Sequence, residues 1–305
     1  MLGKSNIHTD LALEDKERFE SDQVEISGVS VEEFYDEEYE MQMTEVRIMT
    51  ENGAKTMRKP IGTYITLEMP NLTLEDEDYH YEISKQLAKY IKKLLHIDKD
   101  VYTALIVGLG NRDVTPDALG PYAIEQLNIT RHIIKEYGQC ALENKVQLVS
   151  AIAPGVMAQT GMETYEIVKG IADTTKPDVI FVIDALAARN TKRLNRTIQI
   201  TDTGIRPGSG VGNHRNEISK ETIGVPVIAI GVPTVVDAAT IVRDTMEHML
   251  STMEKEVQYE FLQDAIAPHL YGMFVTPKDI DESIEKIGIT IADGLNILFS
   301  KEVQE

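Results

Sequence analysis

The sequence predicts an α/β fold in which a mostly parallel sheet carries helices on both faces. Through the middle of the chain, short apolar segments typical of buried strands alternate with segments of helical periodicity. Such alternation is characteristic of parallel sheets, because the crossover between two parallel strands is usually a helix. The 305 residues contain no internal repeat and no low-complexity linker, so we expect one main domain with N-terminal additions.

The elements follow one another in a regular order. A strand that ends at a proline is predicted over TYITLEMP (63–70). A helix is predicted over EDEDYHYEISKQLAKYIKKLLHI (75–97), with its acidic residues in the first turns and its lysines towards the end, as the helix dipole favours. Further helices are predicted over ALGPYAIEQLNITRHIIKEY (118–137), near 160–174, and over VVDAATIVRDTMEHML (235–250). The predicted buried strands between them are TALIVGLG (103–110), VQLVSAIAP (146–154), DVIFVIDALAA (178–188) and VPVIAIGVP (225–233).

The acidic composition restricts the partners of the chain. Its 50 acids and 30 bases give a net charge of −20, which repels phosphate backbones, so direct nucleic-acid binding is not expected. No apolar run approaches the roughly 18 residues of a membrane span, so no membrane association is expected. Residues 1–22 are too polar to pack and are predicted to be mobile.

The cysteine content and the N-terminus point to the cytoplasm. A single cysteine, Cys140, excludes an intrachain disulfide and fits a reducing compartment. Its neighbours in YGQCALE include no histidine or basic residue, which favours a buried spectator over a nucleophile. The apolar run from Leu11 to Leu13 is broken at once by Glu14, so the N-terminus is not a secretory signal.

Two predicted strands deliver carboxylates at their C-terminal ends. Asp117 lies in GLGNRDVTPDALGP (108–121), and Asp184 lies in VIDALAAR (182–189). An aspartate in such a position can cap a helix, but two of them on neighbouring strands favour a site, because ligands bind beyond the carboxyl ends of parallel strands. Two close carboxylates cannot both ionise easily, so the pair can supply both an acid and a base.

Other chemistries lack their sequence markers. The dinucleotide fingerprint fails because Asp113 stands where its third glycine belongs, and the P-loop, zincin and nucleophile-elbow motifs are absent from the sequence. His214, in GSGVGNHR, is a weak candidate for a metal or substrate contact. Candidates for substrate binding or for an oxyanion hole are Gly108, Gly110, Asn111, Gly208, Gly210 and Gly212.

Several ordered blocks together resemble the germination protease family of endospore-forming bacteria. They are GLGN…VTPDALGP, APGVMAQTGMET (153–164), VIDALAAR, PGSGVGNHRNEIS (207–219), IGVPTVVDAATI (230–241) and FVTPKDID (274–281). The resemblance implies a fold related to hydrogenase maturation proteases. It also implies an aspartic-type endopeptidase of the forespore and spore core that degrades small acid-soluble, DNA-binding spore proteins at the start of germination. It implies Asp117 and Asp184 as the catalytic residues, a homotetramer, and no cofactor.

The resemblance also implies a function for the stretch TDLALE (9–14), which by its composition alone would be a chain terminus without a function. The family's substrates are cut after an acid in a context such as Thr-Glu | Phe/Ile-Ala-Ser-Glu, and its members are zymogens that trim themselves at such a site. By this resemblance the chain is cut between Asp10 and Leu11. Residues 1–10 are then a propeptide, and residues 11–305 form a single peptidase domain in which 11–75 are partly mobile additions.

Two alternatives stay open at this point. The first is a metal-assisted peptidase that uses the same acids, with His214 as an added ligand, and activity that survives chelators would remove it. The second is a nucleotide-binding α/β protein that uses the glycine loops and has no proteolytic activity. Thermal stabilisation by nucleotides, without proteolysis, would support the second.

Overall fold

One β-sheet organises the chain. The fold is taken from a computed structural model that describes residues 9–21, 26–142, 146–208, 215–249, 270 and 272–300. Within these residues the sheet has nine strands: β1 (Val29–Asp36), β2 (Met41–Ile48), β3 (Gly62–Glu68), β4 (Thr103–Gly108), β5 (Leu148–Ile152), β6 (Val179–Ala188), β7 (Thr197–Thr201), β8 (Val227–Asp237) and β9 (Phe274–Val275).

The strand order divides the sheet into two halves. β5, β4, β6 and β8 pair in parallel, and these are the four buried strands that the sequence predicts. β1, β2, β3 and β7 continue the sheet in antiparallel pairs, β7 joins β8, and β9 pairs with the far end of β8. The predicted α/β fold is confirmed. Parallel pairing is limited to one half, because residues 29–68 form most of the other. The strand predicted over 63–70 is confirmed as β3, whereas no strand is predicted for β1 and β2.

Helices cover the sheet. Those in the described part of the chain are α1 (Ala12–Ser21), α2 (Glu51–Met57), α3 (Glu77–Leu94), α4 (Leu119–Glu125), α5 (Arg131–Tyr137), α6 (Met157–Thr160), α7 (Thr164–Thr175), α8 (Lys220–Ile223), α9 (Ala238–Met249) and α10 (Ile280–Phe299). In this part of the chain, no helix combines the length and the apolar character that a membrane crossing requires.

Side-chain alternation along β4 shows how both faces are filled. Ile106 is buried in a cluster with Leu87 of α3 and Ile291 of α10. Its neighbour Leu105 is buried on the opposite face in a cluster with Val168 of α7. Each such leucine or isoleucine contributes roughly 1.5–3 kcal/mol through burial. Helices therefore pack on both faces, as predicted.

The single helix predicted over residues 118–137 is wrong, because the segment forms α4 and α5 with a break between them. In the break, the N–H of Thr130 donates to the carbonyl of Val149 in β5 at 3.2 Å. The N–H of Val149 donates in return to the hydroxyl of Thr130 at 2.9 Å. These bonds to the sheet replace helical hydrogen bonds that a continuous helix would form.

Helix α4 approaches β4 very closely. A Cβ atom on Gly108 would lie 2.3 Å from the carbonyl oxygen of Gly120, and a Cβ on Gly120 would lie 2.3 Å from the carbonyl oxygen of Leu109. Both obstacles are backbone atoms, so only glycine permits the contact. The contact places the start of α4, and the turn before it, at the end of β4.

Substitution of Gly120 tests this packing. We expect Gly120→Ala to lower the free energy of unfolding by about 1–3 kcal/mol, because the added methyl group must push α4 away from β4. Gly170→Ala is the matched control, since no described atom lies within 4 Å of a Cβ at this position in α7. Alanine there should raise the stability by up to about 1 kcal/mol. Urea unfolding measures both variants, and equal effects would contradict the close contact.

Candidate active site

The two predicted aspartates lie at the same edge of the sheet. β4 pairs with β6 so that Gly108 lies opposite Ile183, and Asp184 follows directly. Asp117 ends the short turn Thr115–Asp117 that leads from β4 into α4. Both aspartates line one cavity of about 590 Å³. The structure thus brings together the two acids that the sequence singles out.

The loop after β4 holds Asp117 in place. The N–H of Asn111 donates to the carboxylate of Asp117 at 2.9 Å and to its main-chain oxygen at 3.0 Å. Gly110 has a φ of +110°, and a Cβ there would lie 1.9 Å from the main-chain oxygen of Asp117. Gly110 and Asn111, predicted as substrate or oxyanion contacts, therefore position a carboxylate in this structure.

Burial raises the pKa of both acids, and repulsion by neighbouring carboxylates raises that of Asp184 further. Asp184 is only 6% exposed, and burial raises its pKa well above the ordinary value, with the negative charges of Asp117 and Asp10 adding to the shift. Burial also raises the pKa of Asp117, but the N–H of Asn111 and the charge of Arg215 oppose that shift. A backbone N–H, that of Ala185, and the charge of Arg215 oppose the shift at Asp184 as well, so the pair as a whole favours keeping a proton.

The segment around residues 10–14 packs beside this cavity, and the expectation that residues 1–22 do not pack is wrong for it. Leu11 and Ala12 have no exposed surface, and Leu11 lies in a cluster with Leu186 and Val236. The N–H of Ala12 donates to Oε1 of Gln199 at 2.8 Å. A short apolar run is enough for packing here because the strand ends supply both an apolar surface and polar partners.

Asp10 is bound through its main chain and its side chain. Its N–H donates to the carbonyl of Ala187 at 3.1 Å, and the N–H of Ala187 donates to its carboxylate at 3.0 Å. Its carbonyl oxygen accepts from Nζ of Lys59 at 2.8 Å and from Nε2 of Gln199 at 3.2 Å. Asp10 and the aspartate pair therefore line the same cavity, and the carbonyl group of Asp10 is fixed in its wall.

Lys59 and Gln199 are functional candidates that sequence reasoning missed. Lys59 follows Arg58, whose left-handed conformation (φ 53°) ends α2 and turns the chain. Gln199 is the central residue of β7, TIQIT, in which every residue is buried. A polar side chain in the middle of a buried strand is a signal that points to Gln199, whereas no local pattern singles out Lys59.

The other predicted site residues are distributed differently. Gly108 packs against α4, and Gly208 lines the cavity. Gly210, Gly212 and His214 lie outside the described residues. Among the described residues, no three histidine, cysteine, aspartate or glutamate side chains are grouped so that they could hold a metal ion.

Cys140 differs from its prediction as a buried residue. It is exposed, because helix α5 ends before Gly138 and Cys140 lies in the short turn Gln139–Ala141 that follows. It is not among the residues that line the cavity. Its position gives it no contact with the aspartate pair.

Comparison with known proteins adds the family to this geometry. A family model described as germination protease matches residues 7–261. The chain belongs to the germination protease family. The chain is 45% identical to the germination protease of Clostridium tetani, over 96% of this chain and 95% of the relative. It is 44% identical to that of Caldanaerobacter subterraneus subsp. tengcongensis (98% and 96%) and 38% identical to that of Bacillus mycoides (100% and 96%).

A solved structure matches at a lower level. The NiFe hydrogenase maturation protease HycI from Thermococcus kodakarensis KOD1 has a TM-score of 0.31 and 19% identity, covering 64% of this chain and 92% of that chain. A structural likeness at this TM-score is too low to support a conclusion about the fold or the function of this chain. The family membership confirms the resemblance seen in the motifs and assigns the chain to the spore proteases. It therefore favours proteolytic activity over the nucleotide-binding alternative.

The raised pKa of Asp184 predicts a pH-dependent stability. A carboxyl with a higher pKa in the folded state stabilises the fold below its ordinary pKa of 3.8, and this contribution is lost as the pH rises through the raised value. Asp184→Asn removes this titration. We therefore expect the wild type to lose stability relative to the variant as the pH increases above about 3.8, measured by thermal unfolding at a series of pH values.

The control for this measurement is Asp113→Asn, which changes an exposed carboxyl in the loop that precedes Asp117. This variant should follow the wild type at every pH. A difference between wild type and Asp184→Asn that stays constant across the series would contradict the raised pKa.

Proposed function

We propose that the chain is an endopeptidase precursor that cuts itself between Asp10 and Leu11 and then degrades small acid-soluble spore proteins at the start of germination. One observation carries this proposal. The carbonyl oxygen of Asp10 is held by Lys59 and Gln199 in the cavity that the aspartate pair lines. A peptide group fixed in the same cavity as two carboxyls of raised pKa supports acid–base hydrolysis of that bond.

In the proposed reaction the two aspartates take different roles. Asp117, ionised and supported by the N–H of Asn111, removes a proton from the water that attacks the carbonyl carbon of Asp10. Asp184, which holds the proton of the pair, polarises the carbonyl and then protonates the leaving nitrogen of Leu11. The difference in burial supports this assignment, because it pushes the pKa of Asp184 further upwards.

Lys59 and Gln199 are proposed as the oxyanion donors, in place of the glycine amides that the sequence suggests. Negative charge develops on the carbonyl oxygen as water adds, and these donors lie 2.8 Å and 3.2 Å from it before the reaction starts. Donors that are already aimed at this oxygen need no reorganisation, and the lysine adds a full positive charge.

The remaining features of the proposal are suggested by the resemblance to the family. The mature enzyme is residues 11–305, a homotetramer in the forespore and spore core. In the precursor, the N-terminal segment excludes other proteins from the cavity that it occupies. Light scattering of the trimmed enzyme tests the tetramer, and mass mapping of fragments from an acid-soluble spore protein tests the substrate.

Self-cleavage is the direct test of the aspartate pair. Incubation of the full chain at mildly acidic pH, where the pair keeps a proton, should yield a new N-terminus at Leu11. Asp117→Asn and Asp184→Asn should each abolish most of this cleavage, and the double variant should be little worse, because groups that act as a unit give non-additive losses. N-terminal sequencing reads the result.

Asp113→Asn is the matched control and should be processed as the wild type is. A mature end at a residue other than Leu11, or trimming that persists in either catalytic variant, would show that the segment is not cut by this pair.

Lys59→Met tests the oxyanion assignment. Loss of one such donor slows catalysis by about 100- to 1000-fold, and we expect a decrease of this order in the first-order rate of self-cleavage. Lys55→Met removes an exposed lysine of the neighbouring helix α2 and should leave the rate unchanged. A Lys59→Met precursor that cleaves itself at the wild-type rate would remove Lys59 from the mechanism.

A further inference from the structure

Strand β8 contains a bulge at Thr234. β8 pairs with β6 in register as far as Pro233, which lies opposite Leu186, and the pairing resumes with Val235 opposite Ala187. The register therefore skips Thr234, whose side chain is fully buried. Bulges are frequent beside active sites, where they redirect a side chain. In this protein the bulge directs Thr234 towards a segment other than β6.

The hydroxyl of Thr234 fixes the peptide group that precedes Asp117. It donates to the carbonyl oxygen of Pro116 at 2.7 Å. The N–H of the same peptide group, which belongs to Asp117, donates to the carbonyl oxygen of Val114 at 2.8 Å. Both polar atoms of the peptide group are therefore bonded, and its plane cannot rotate unless one of these hydrogen bonds breaks.

Thr276 supports Thr234 in turn. Its hydroxyl donates to the carbonyl oxygen of Thr234 at 2.8 Å, and it follows β9, which pairs with the end of β8. The two threonines belong to the motifs IGVPTVVDAATI and FVTPKDID, which contain neither of the paired aspartates. Both threonines lie in the wall of the cavity that Asp117 lines. These motifs thus reach the site through a chain of two hydroxyl groups.

We propose that Thr234 is a positioning residue for Asp117 and that Thr276 holds Thr234 in place for this role. The inference rests on the proposed function, because it takes Asp117 as the base that activates water. Rotation of the peptide group before Asp117 would move its carboxylate away from the N–H of Asn111, which donates to it at 2.9 Å. A displacement of about 1 Å can slow a catalysed reaction about 100-fold.

Two substitutions of Thr234 separate its hydroxyl from its methyl group. Valine keeps the size of the side chain and removes the hydroxyl, whereas serine keeps the hydroxyl and removes the methyl group. We expect Thr234→Val to lower the first-order rate of self-cleavage of the full chain by about 10- to 100-fold. Thr234→Ser should keep most of the wild-type rate.

Thr197→Val is the matched control. Thr197 is also a buried threonine of the sheet, but its hydroxyl has no hydrogen-bond partner among the described residues. It is not among the residues that line the cavity. This variant should cleave itself at the wild-type rate.

A pH profile of the rate distinguishes positioning from a general loss of stability. Burial raises the pKa of Asp117, and the N–H of Asn111 and the charge of Arg215 oppose that shift. In Thr234→Val the bond from Asn111 weakens, so the pKa of Asp117 should rise and the acidic limb of the profile should move to higher pH. Asp184 and Arg215 are unchanged in all these variants, and thermal unfolding at the same pH values shows which of them are folded.

The outcomes separate this role from the proposed function. A wild-type chain that does not cleave itself overturns both proposals. A folded Thr234→Val chain with the wild-type rate and profile overturns the positioning role and leaves the protease assignment intact. Loss of the rate in Thr234→Ser but not in Thr234→Val would assign Thr234 to packing and would also overturn the role.

Thr276→Val provides a second test, which applies even where Thr234→Val does not fold. It leaves the hydroxyl of Thr234 in place and should slow self-cleavage less than Thr234→Val does. A wild-type rate in a folded Thr276→Val chain overturns the role of Thr276. An equal effect of Thr276→Val in the wild type and in Thr234→Val overturns it as well, because residues that act through one another are not additive.

Discussion

The parallel pairing of β4 with β6 is the constraint on which the site depends. It places Gly108 opposite Ile183, so the chain that leaves β4 meets Asp184 at one edge of the sheet. The contact between Gly108 and Gly120 then brings α4, and with it Asp117, onto the same edge. Because these two carboxyls share a partly buried cavity, their repulsion and their desolvation both favour a shared proton.

The two halves of the sheet supply different parts of the site. The parallel half carries the carboxyls, whereas the antiparallel half and α2 carry the groups that hold the peptide. Gln199 of β7 lies opposite Gly231 of β8, so the junction of the halves runs through the cavity. Lys59 and the N–H groups at the end of β6 give local donors in a protein of net charge −20. These donors allow an acidic segment to bind beside an acidic pair.

The fold was predictable where local pattern decides it. Apolar runs identify the four parallel strands, and helical periodicity identifies α3, which buries Ile83, Leu87, Ile91 and Leu94 on one face. The antiparallel half was largely missed. β1 has a half-exposed, acidic sequence, and β2 mixes polar and apolar residues without a regular alternation, so neither strand has a clear local pattern. The break between α4 and α5 was missed as well, since it depends on hydrogen bonds from Thr130 to β5.

The sequence by itself determined the family, the parallel strands of the core and the two aspartates that follow these strands. Each of these features depends on a short continuous segment of the sequence. Only the tertiary structure decided which groups surround the peptide bond after Asp10. Lys59 lies 49 positions from Asp10 along the chain, and Gln199 lies 189 positions away. The burial of Leu11 depends likewise on strand ends far along the chain. Contacts at such separations arise from strand order, which no local pattern of residues specifies.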